Sequence, residues 1–168
     1  SLAKALQKKG YEVDVSNVKT AALLHDIVKL CDFSQLDTKK LPPHHTKSDL
    51  EVWERYIRRY HKIGHAEAGY HIVKKYNKEI ALMIKKHGYN SLIAPKKSDR
   101  PKTIEEKILY YADKRVKHDQ VVSLKQRIRD SKKRYFPNGN IPSNDKKIQK
   151  ALFTLEKELL NLAKLTKI

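Results

Sequence analysis

Cysteine is almost missing from this chain: Cys31 stands alone among 168 residues, which excludes an internal disulfide framework and fits a reducing compartment. Glycine and proline are scarce, five and six respectively, so collagen-like and low-complexity classes are excluded. Long apolar runs are missing too. No stretch approaches the roughly 18 consecutive apolar residues of a membrane span, and no apolar signal region follows the basic start, so the expectation is a cytoplasmic protein without membrane association. Acidic residues are few, nineteen Asp+Glu against thirty-seven Lys+Arg, for a formal charge of +18 that leaves out eight histidines. Such a surplus attracts phosphates, nucleic acid or acidic lipid but says nothing about fold. The length suits one domain with one continuous core.

The apolar residues recur with helical spacing. Leu2, Ala5 and Leu6 mark a first helix with Gly10 as its C-terminal cap. Ser16 and Asn17 are candidate caps for a second helix, whose apolar run from Val18 continues through Ile27, Val28 and Leu30. Residues 32–45 contain Pro42-Pro43 and read as a loop. Ser48 and Glu51 form a capping-box pattern ahead of Leu50, Trp53, Tyr56, Ile57 and Tyr60 on one face. Residues 66–76 and 78–86 give two further helices, the first with Ala68, Gly69, Ile72 and Val73 inward, the second with Ile80, Ala81 and Ile84 inward. Residues 88–102 form a lysine-rich loop. Thr103 and Glu106 form a second capping box, with Ile104, Ile108, Leu109, Ala112 and Val116 on one face of the helix that follows. Residues 121–135 read as another helix, broken by Pro137-Asn138-Gly139-Asn140. From about Ser143, Ile148, Leu152, Leu155, Leu159 and Leu162 alternate steps of four and three. Such a seam suits packing across the domain or a homodimer through this C-terminal helix. No convincing strand appears. The fold class expected is all-α, a helical bundle of roughly six to eight helices, in one domain spanning 1–168 with a core over about 1–127 and a C-terminal helical extension over about 143–168.

Polar residues inside apolar runs mark the places where a sequence breaks its own patterning, and these are the candidates for function. In Ala21-Ala-Leu-Leu-His25-Asp26-Ile-Val-Lys29-Leu30 an imidazole, a carboxylate and an ammonium interrupt an apolar stretch, where each needs a partner. A divalent first-row metal satisfies the first two together, and so does a plain His–Asp hydrogen bond. Asp113 lies near the inward stripe of its helix, where a metal or its neighbours Lys114 and Arg115 are available partners. His65 opens a helix among the small residues Gly64, Ala66, Ala68 and Gly69, which let another element approach closely. His87 closes a helix just before Gly88. His61, four residues before His65, is the alternative to it. His44-His45 reads as a solvated loop pair, His118-Asp119 as a helix-end pair and Cys31 as packing.

The order His25-Asp26, His65, His87, Asp113 resembles the HD-domain superfamily of metal-dependent phosphohydrolases. The likeness runs from Ser1 to about Arg127. It rests on the apolar run into His25-Asp26, on Gly64-His-Ala-Glu-Ala-Gly69, on His87, and on Glu106-Lys-Ile-Leu-Tyr-Tyr-Ala-Asp113-Lys-Arg115-Val. His25-Asp-Ile-Val-Lys29 is also similar to the His-Asp-Ile-Gly-Lys variant of the superfamily, with Val28 in place of glycine. The resemblance implies one or two divalent metal ions (Mn, Fe, Ni, Co, Zn or Mg). His25, Asp26 and Asp113 would hold the first, His65 and His87 the second, and Asp26 would bridge the two. It also implies one more histidine ligand upstream of the pair. No residue before His25 is a histidine, so that ligand is expected ahead of Ser1, in a longer chain.

The chemistry implied is hydrolysis of a phosphate ester or phosphoanhydride of a nucleotide-like substrate by a metal-activated water. Lys29 would meet a phosphate oxygen, and Arg115 would do so bidentately. The competing class is a helical nucleic-acid-binding or regulatory module without turnover. It draws on the charge, on the runs Lys96-Lys97, Lys132-Lys133-Arg134 and Lys146-Lys147, and on Tyr135 and Phe136 as stacking platforms. Such a module gives no reason for His25 and Asp26 in an apolar run.

Overall fold

The structure, a computed structural model, describes residues 1–37, 41 and 43–166. Pro42 of the expected proline loop lies outside them. Among the described residues there are eight α-helices and one two-stranded antiparallel hairpin, so the chain is all-α in character. Among the described residues no helix is long and apolar enough to cross a membrane.

The helices begin where short polar side chains satisfy their first amides. Helix α1 (Leu2–Lys8) ends before Gly10, whose φ of 86° suits a residue without a Cβ. Helix α2 (Val15–Leu24) is capped by Asp14, which accepts from the Asn17 amide at 2.8 Å, rather than by Ser16 or Asn17. Helix α3 (Lys47–Tyr60) takes Thr46 and Asp49 as its capping box, two residues ahead of the expected Ser48 and Glu51. Its expected inward face is right: Ile57 is buried, and Leu50, Trp53, Tyr56 and Tyr60 are half-buried. Helices α4 (Gly64–Val73) and α5 (Lys78–Lys85) form a tight antiparallel pair. A Cβ on Gly69 would lie 2.8 Å from Ile84 Cγ2, so the small residue is what permits the close approach.

Helix α6 (Ile104–Asp113) opens on the expected Thr103–Glu106 capping box but stops sooner than the apolar spacing suggests. Val116 is exposed and pairs with Val121 in the hairpin of β1 (Val116–Lys117) and β2 (Gln120–Val121). His118, with φ of 55°, sits in the turn of that hairpin instead of at a helix end. Helix α7 (Leu124–Tyr135) is capped by Ser123 and buries only Leu124. Helix α8 (Asp145–Ala163) buries Ile148, Leu152, Leu155 and Leu159. Each such side chain contributes roughly 1.5–3 kcal/mol by leaving water. The seam packs inside the chain's own core with Leu2, Leu6, Leu109 and Tyr111, so its apolar face is used within the chain.

Hydrogen bonds at their ends fix how the central helices run. The Asp14 amide at the start of α2 donates to Glu105 at the start of α6 (3.2 Å), and the Asn17 side chain donates to Glu79 at the start of α5 (3.2 Å). Helices α2, α5 and α6 therefore run in parallel, with α4 antiparallel to them. Three C-terminal ends and the N-terminus of α4 meet at one end of the bundle. Helix C-termini carry partial negative charge, which favours cations there.

Candidate metal centre

His25 and Asp26 do not lie inside a helix. Helix α2 ends at Leu24, with His25 as its C-cap. The chain then continues in tighter turns, Ile27 donating to Leu24 and Lys29 to Asp26, before a 3-10 turn at Lys29–Asp32. Of the expected apolar run, Leu23 and Ile27 are exposed while Val28 is buried, as is Cys31 beyond it. The tighter winding turns the His-Asp pair outward over the mouth of the bundle. Cys31 packs against Ala68, as expected of a small apolar side chain.

The end of the bundle gathers His25, Asp26, His65, His87 and Asp113 from four elements. Asp26 is the hub. Its Oδ2 lies 3.6 Å from His25 Nε2, while its Oδ1 lies 3.1 Å from His65 Nε2 and 3.7 Å from His87 Nε2. His25 Nε2 is 3.6 Å from Asp113 Oδ1, and the Nε2 atoms of His65 and His87 are 3.0 Å apart. The nearest ligand atoms of His25, Asp26 and His87 all lie within 4.8 Å of one another.

Each imidazole is held by its other nitrogen. Nδ1 of His25 donates to the Ala22 carbonyl (2.8 Å), Nδ1 of His87 to the Ile84 carbonyl (2.5 Å), and Nδ1 of His65 faces Asp32 Oδ2 (2.7 Å). A proton on Nδ1 leaves Nε2 as a lone-pair donor, the arrangement in which metal-ligating histidines are oriented by a carbonyl or carboxylate behind them. With a cation bound, the three Nε2 atoms gathered around Asp26 would be available to it. Atoms bound to one ion at about 2.1 Å lie about 3.0 Å apart in octahedral and about 3.4 Å apart in tetrahedral geometry, close to the spacings found. The donor set thus fits a divalent cation.

The same contacts perturb the titrating groups. The hydrogen bond to Asp113 raises His25 above its ordinary value. Burial alone would raise the Asp26 carboxyl, but His65, His87, Lys29 and His25 outweigh it and hold it well below the usual carboxylate range. Asp113 is likewise depressed, burial being overcome by Lys114 and His25. Burial pushes His87 down; for His65 the bonds to Asp26 and Asp32 overcome burial and push it up. Opposed shifts of this kind cluster at functional sites and in ion-pair networks. Asp26 and Lys29 are also its most open members, each with a side chain 44% exposed, whereas that of His87 is 3% exposed. Access from solvent is therefore over Asp26 and Lys29.

Lys29 lies beside the cluster, its Nζ 3.7 Å from Asp26, 3.2 Å from Asp32 and 3.3 Å from His65 Nε2. His65, rather than the exposed His61, is the histidine brought in. Arg115 is not brought in. Lying beyond the C-cap of α6, it turns back, donating to the Val122 carbonyl (2.5 Å), to Glu156 (3.2 Å) and to the Tyr111 hydroxyl. It is nearly buried there, fastening the hairpin to α8. His45 rests against Trp53 instead of being fully solvated.

Asp32 and Lys86, to which the sequence drew no attention, and Lys114, an expected partner of Asp113, support the centre. Asp32, the first residue of the expected loop, accepts from the His65 amide (2.9 Å) as well as facing its ring. Its signal was the spacing of three from Lys29. Lys114 bridges the Asp113 carboxylate and the His87 carbonyl (3.2 Å), so Asp113 faces His25 and its own neighbour together. Lys86, beside His87, is buried in an ion pair with Glu106 (2.6 Å), which also accepts from the Lys102 and Thr103 amides. That pair ties the end of α5 to the start of α6.

Residues 1–116, more than half of the chain, match the family described as HD domain. No curated protein and no solved structure matches. HD domains bind divalent metals and are in general metal-dependent phosphohydrolases. The matched span holds all five clustered residues, in the order and on the elements that bring a His-Asp pair, two histidines and an aspartate to one end of a helical bundle, and the chain belongs to the HD domain family.

Proposed function

We propose that this chain hydrolyses a phosphate ester or phosphoanhydride of a nucleotide-like substrate at the cluster around Asp26. The observation that carries the reading is the division of labour at that carboxylate: Oδ2 faces His25, while Oδ1 faces His65 and His87. Two donor sets share one carboxylate, His25, Asp26 and Asp113 on one side and Asp26, His65 and His87 on the other. If two cations were held there, both sets would draw on Asp26. When bound, a divalent cation supplies Lewis acidity toward the phosphoryl oxygens and a nucleophilic water at neutral pH.

The chain's own residues do the rest. The carbonyls of Ala22 and Ile84 and the carboxylate of Asp32 keep Nε2 of each histidine aimed inward. Lys29, on the open side, provides an ammonium for a substrate phosphate oxygen. Arg115 serves as a fastening of the hairpin, and Lys29 is the cation on the open side of the site.

A panel of phosphomonoesters, nucleotides and dinucleotides, each assayed with manganese, iron or nickel, tests the reading. Turnover of a nucleotide-like member, lost in Asp26→Ala with the helical circular dichroism intact, is the expected result. Full activity in that variant refutes the site. Metal binding without turnover of any member favours a regulatory domain.

A further inference from the structure

Outside the metal centre and beyond the span matched to the family, the hairpin and α7 enclose an open cleft of about 300 Å³, lined by Lys117, Gln120, Val122, Gln126, Arg129, Asp130 and Lys133. From Lys117 to Tyr135 the sequence carries seven Lys and Arg against two Asp. The two sets of cations behave differently. Lys117, Arg127 and Arg134 are drawn to Asp130, at 3.1, 3.7 and 2.9 Å. Arg127 also donates to the Val116 carbonyl (2.8 Å) and to Ser131 (2.5 Å), which locks α7 to β1. The floor of the cleft is therefore fixed.

Arg129 and Lys133 are exposed and, among the described residues, unpaired. Spaced at i and i+4, they lie on one face of α7, with Lys125 one turn earlier in the same row, exposed and likewise unpaired. Like charges in such a row repel, and successive members rise about 6 Å along the helix. A row of unpaired cations along a rigid element is relieved by a row of anions, and a phosphodiester backbone offers one at each nucleotide.

We propose that this cleft and the Lys125, Arg129, Lys133 row bind the phosphate backbone of a nucleic acid strand, independently of the metal centre. Binding of labelled single-stranded and duplex oligonucleotides to the full chain, in chelator and over a salt series, tests it. The wild-type protein is expected to bind with steep salt dependence. Arg129→Gln with Lys133→Gln should weaken binding about tenfold or more and lower the slope of log K against log salt by roughly 1.4–1.8, since each lost contact removes about 0.7–0.9. Lys146→Gln with Lys147→Gln removes the same charge from exposed positions on α8 and should leave affinity within about twofold.

Three results overturn the proposal. The first is equal weakening by the two double variants, which means attraction by net charge alone. The second is unchanged binding in Arg129→Gln with Lys133→Gln. The third is displacement of the oligonucleotide by ATP or inorganic phosphate at matched phosphate concentration, which makes the cleft a site for small phosphates. The chelator keeps the metal centre out of the measurement, so failure here leaves the hydrolase reading untouched.

Discussion

The metal centre and the cleft beside α7 are both charged regions, and they hold their charge in opposite ways. At the centre four of the five clustered side chains are braced from behind: His25 by Ala22, His65 by Asp32, His87 by Ile84 and Asp113 by Lys114. Three helix C-termini add negative potential, and the groups range from buried His87 through half-buried His25, His65 and Asp113 to exposed Asp26. In the cleft only the Asp130 cluster is braced, while Arg129 and Lys133 stand in solvent. Braced donors lose little freedom when they take a ligand, so the centre suits a tightly held ion. Exposed cations on long side chains suit weak, salt-sensitive contact. The net charge of +18 describes neither region. What separates them is which groups have a second residue behind them.

The sharpest way to break this contrast is at the hub. Asp26→Ala removes the carboxylate shared by both donor sets, and it is expected to abolish both metal retention and hydrolysis with the fold intact, read by elemental analysis and by product release. Next in size is Glu106→Ala. It strands Lys86 in a buried site and uncaps α6, at an expected cost of about 3–5 kcal/mol in urea unfolding. Replacing the pair together, Lys86→Met with Glu106→Leu, should recover most of that loss.

Asp32→Asn probes the bracing itself. The amide keeps the shape but loses the charge behind His65, so metal affinity should fall roughly 10–100-fold in titration with manganese, with little change in melting temperature. An unchanged affinity would show that His65 needs no support from Asp32. The smallest effect belongs to the cleft: Arg129→Gln with Lys133→Gln should alter stability by no more than about 0.5 kcal/mol and leave hydrolysis of a small substrate unchanged. A loss of turnover in that variant would show that the two regions work as one.

Much of this was legible in the sequence because hydrophobic spacing and caps are local. The Thr103–Glu106 box, the inward faces of α3 and α5 and the α8 seam follow from residue type and spacing, while the five cluster residues were joined as a set by the resemblance to the HD-domain superfamily. The end of α2 was not legible. Ile27, Val28 and Leu30 continue an apolar run, yet the chain leaves the α-helix at His25 because the His-Asp pair is turned toward partners on α4, α5 and α6. The ending of α6 was hidden for the same reason, since Val116 fits the helical stripe but pairs with Val121. Arg115 read as a phosphate ligand because its neighbour Asp113 belongs to the centre. Its partner Glu156 lies forty-one residues away on α8, a distance no local pattern spans.

The claim that Asp26 and its histidines form a metal centre is tested most directly by metal content. Protein purified without chelator and measured by plasma mass spectrometry should carry about one to two equivalents of a divalent transition metal per chain. Asp26→Ala prepared in parallel should carry close to none. Trace metal alone in the wild-type protein, or equal loading of the two, would contradict the account.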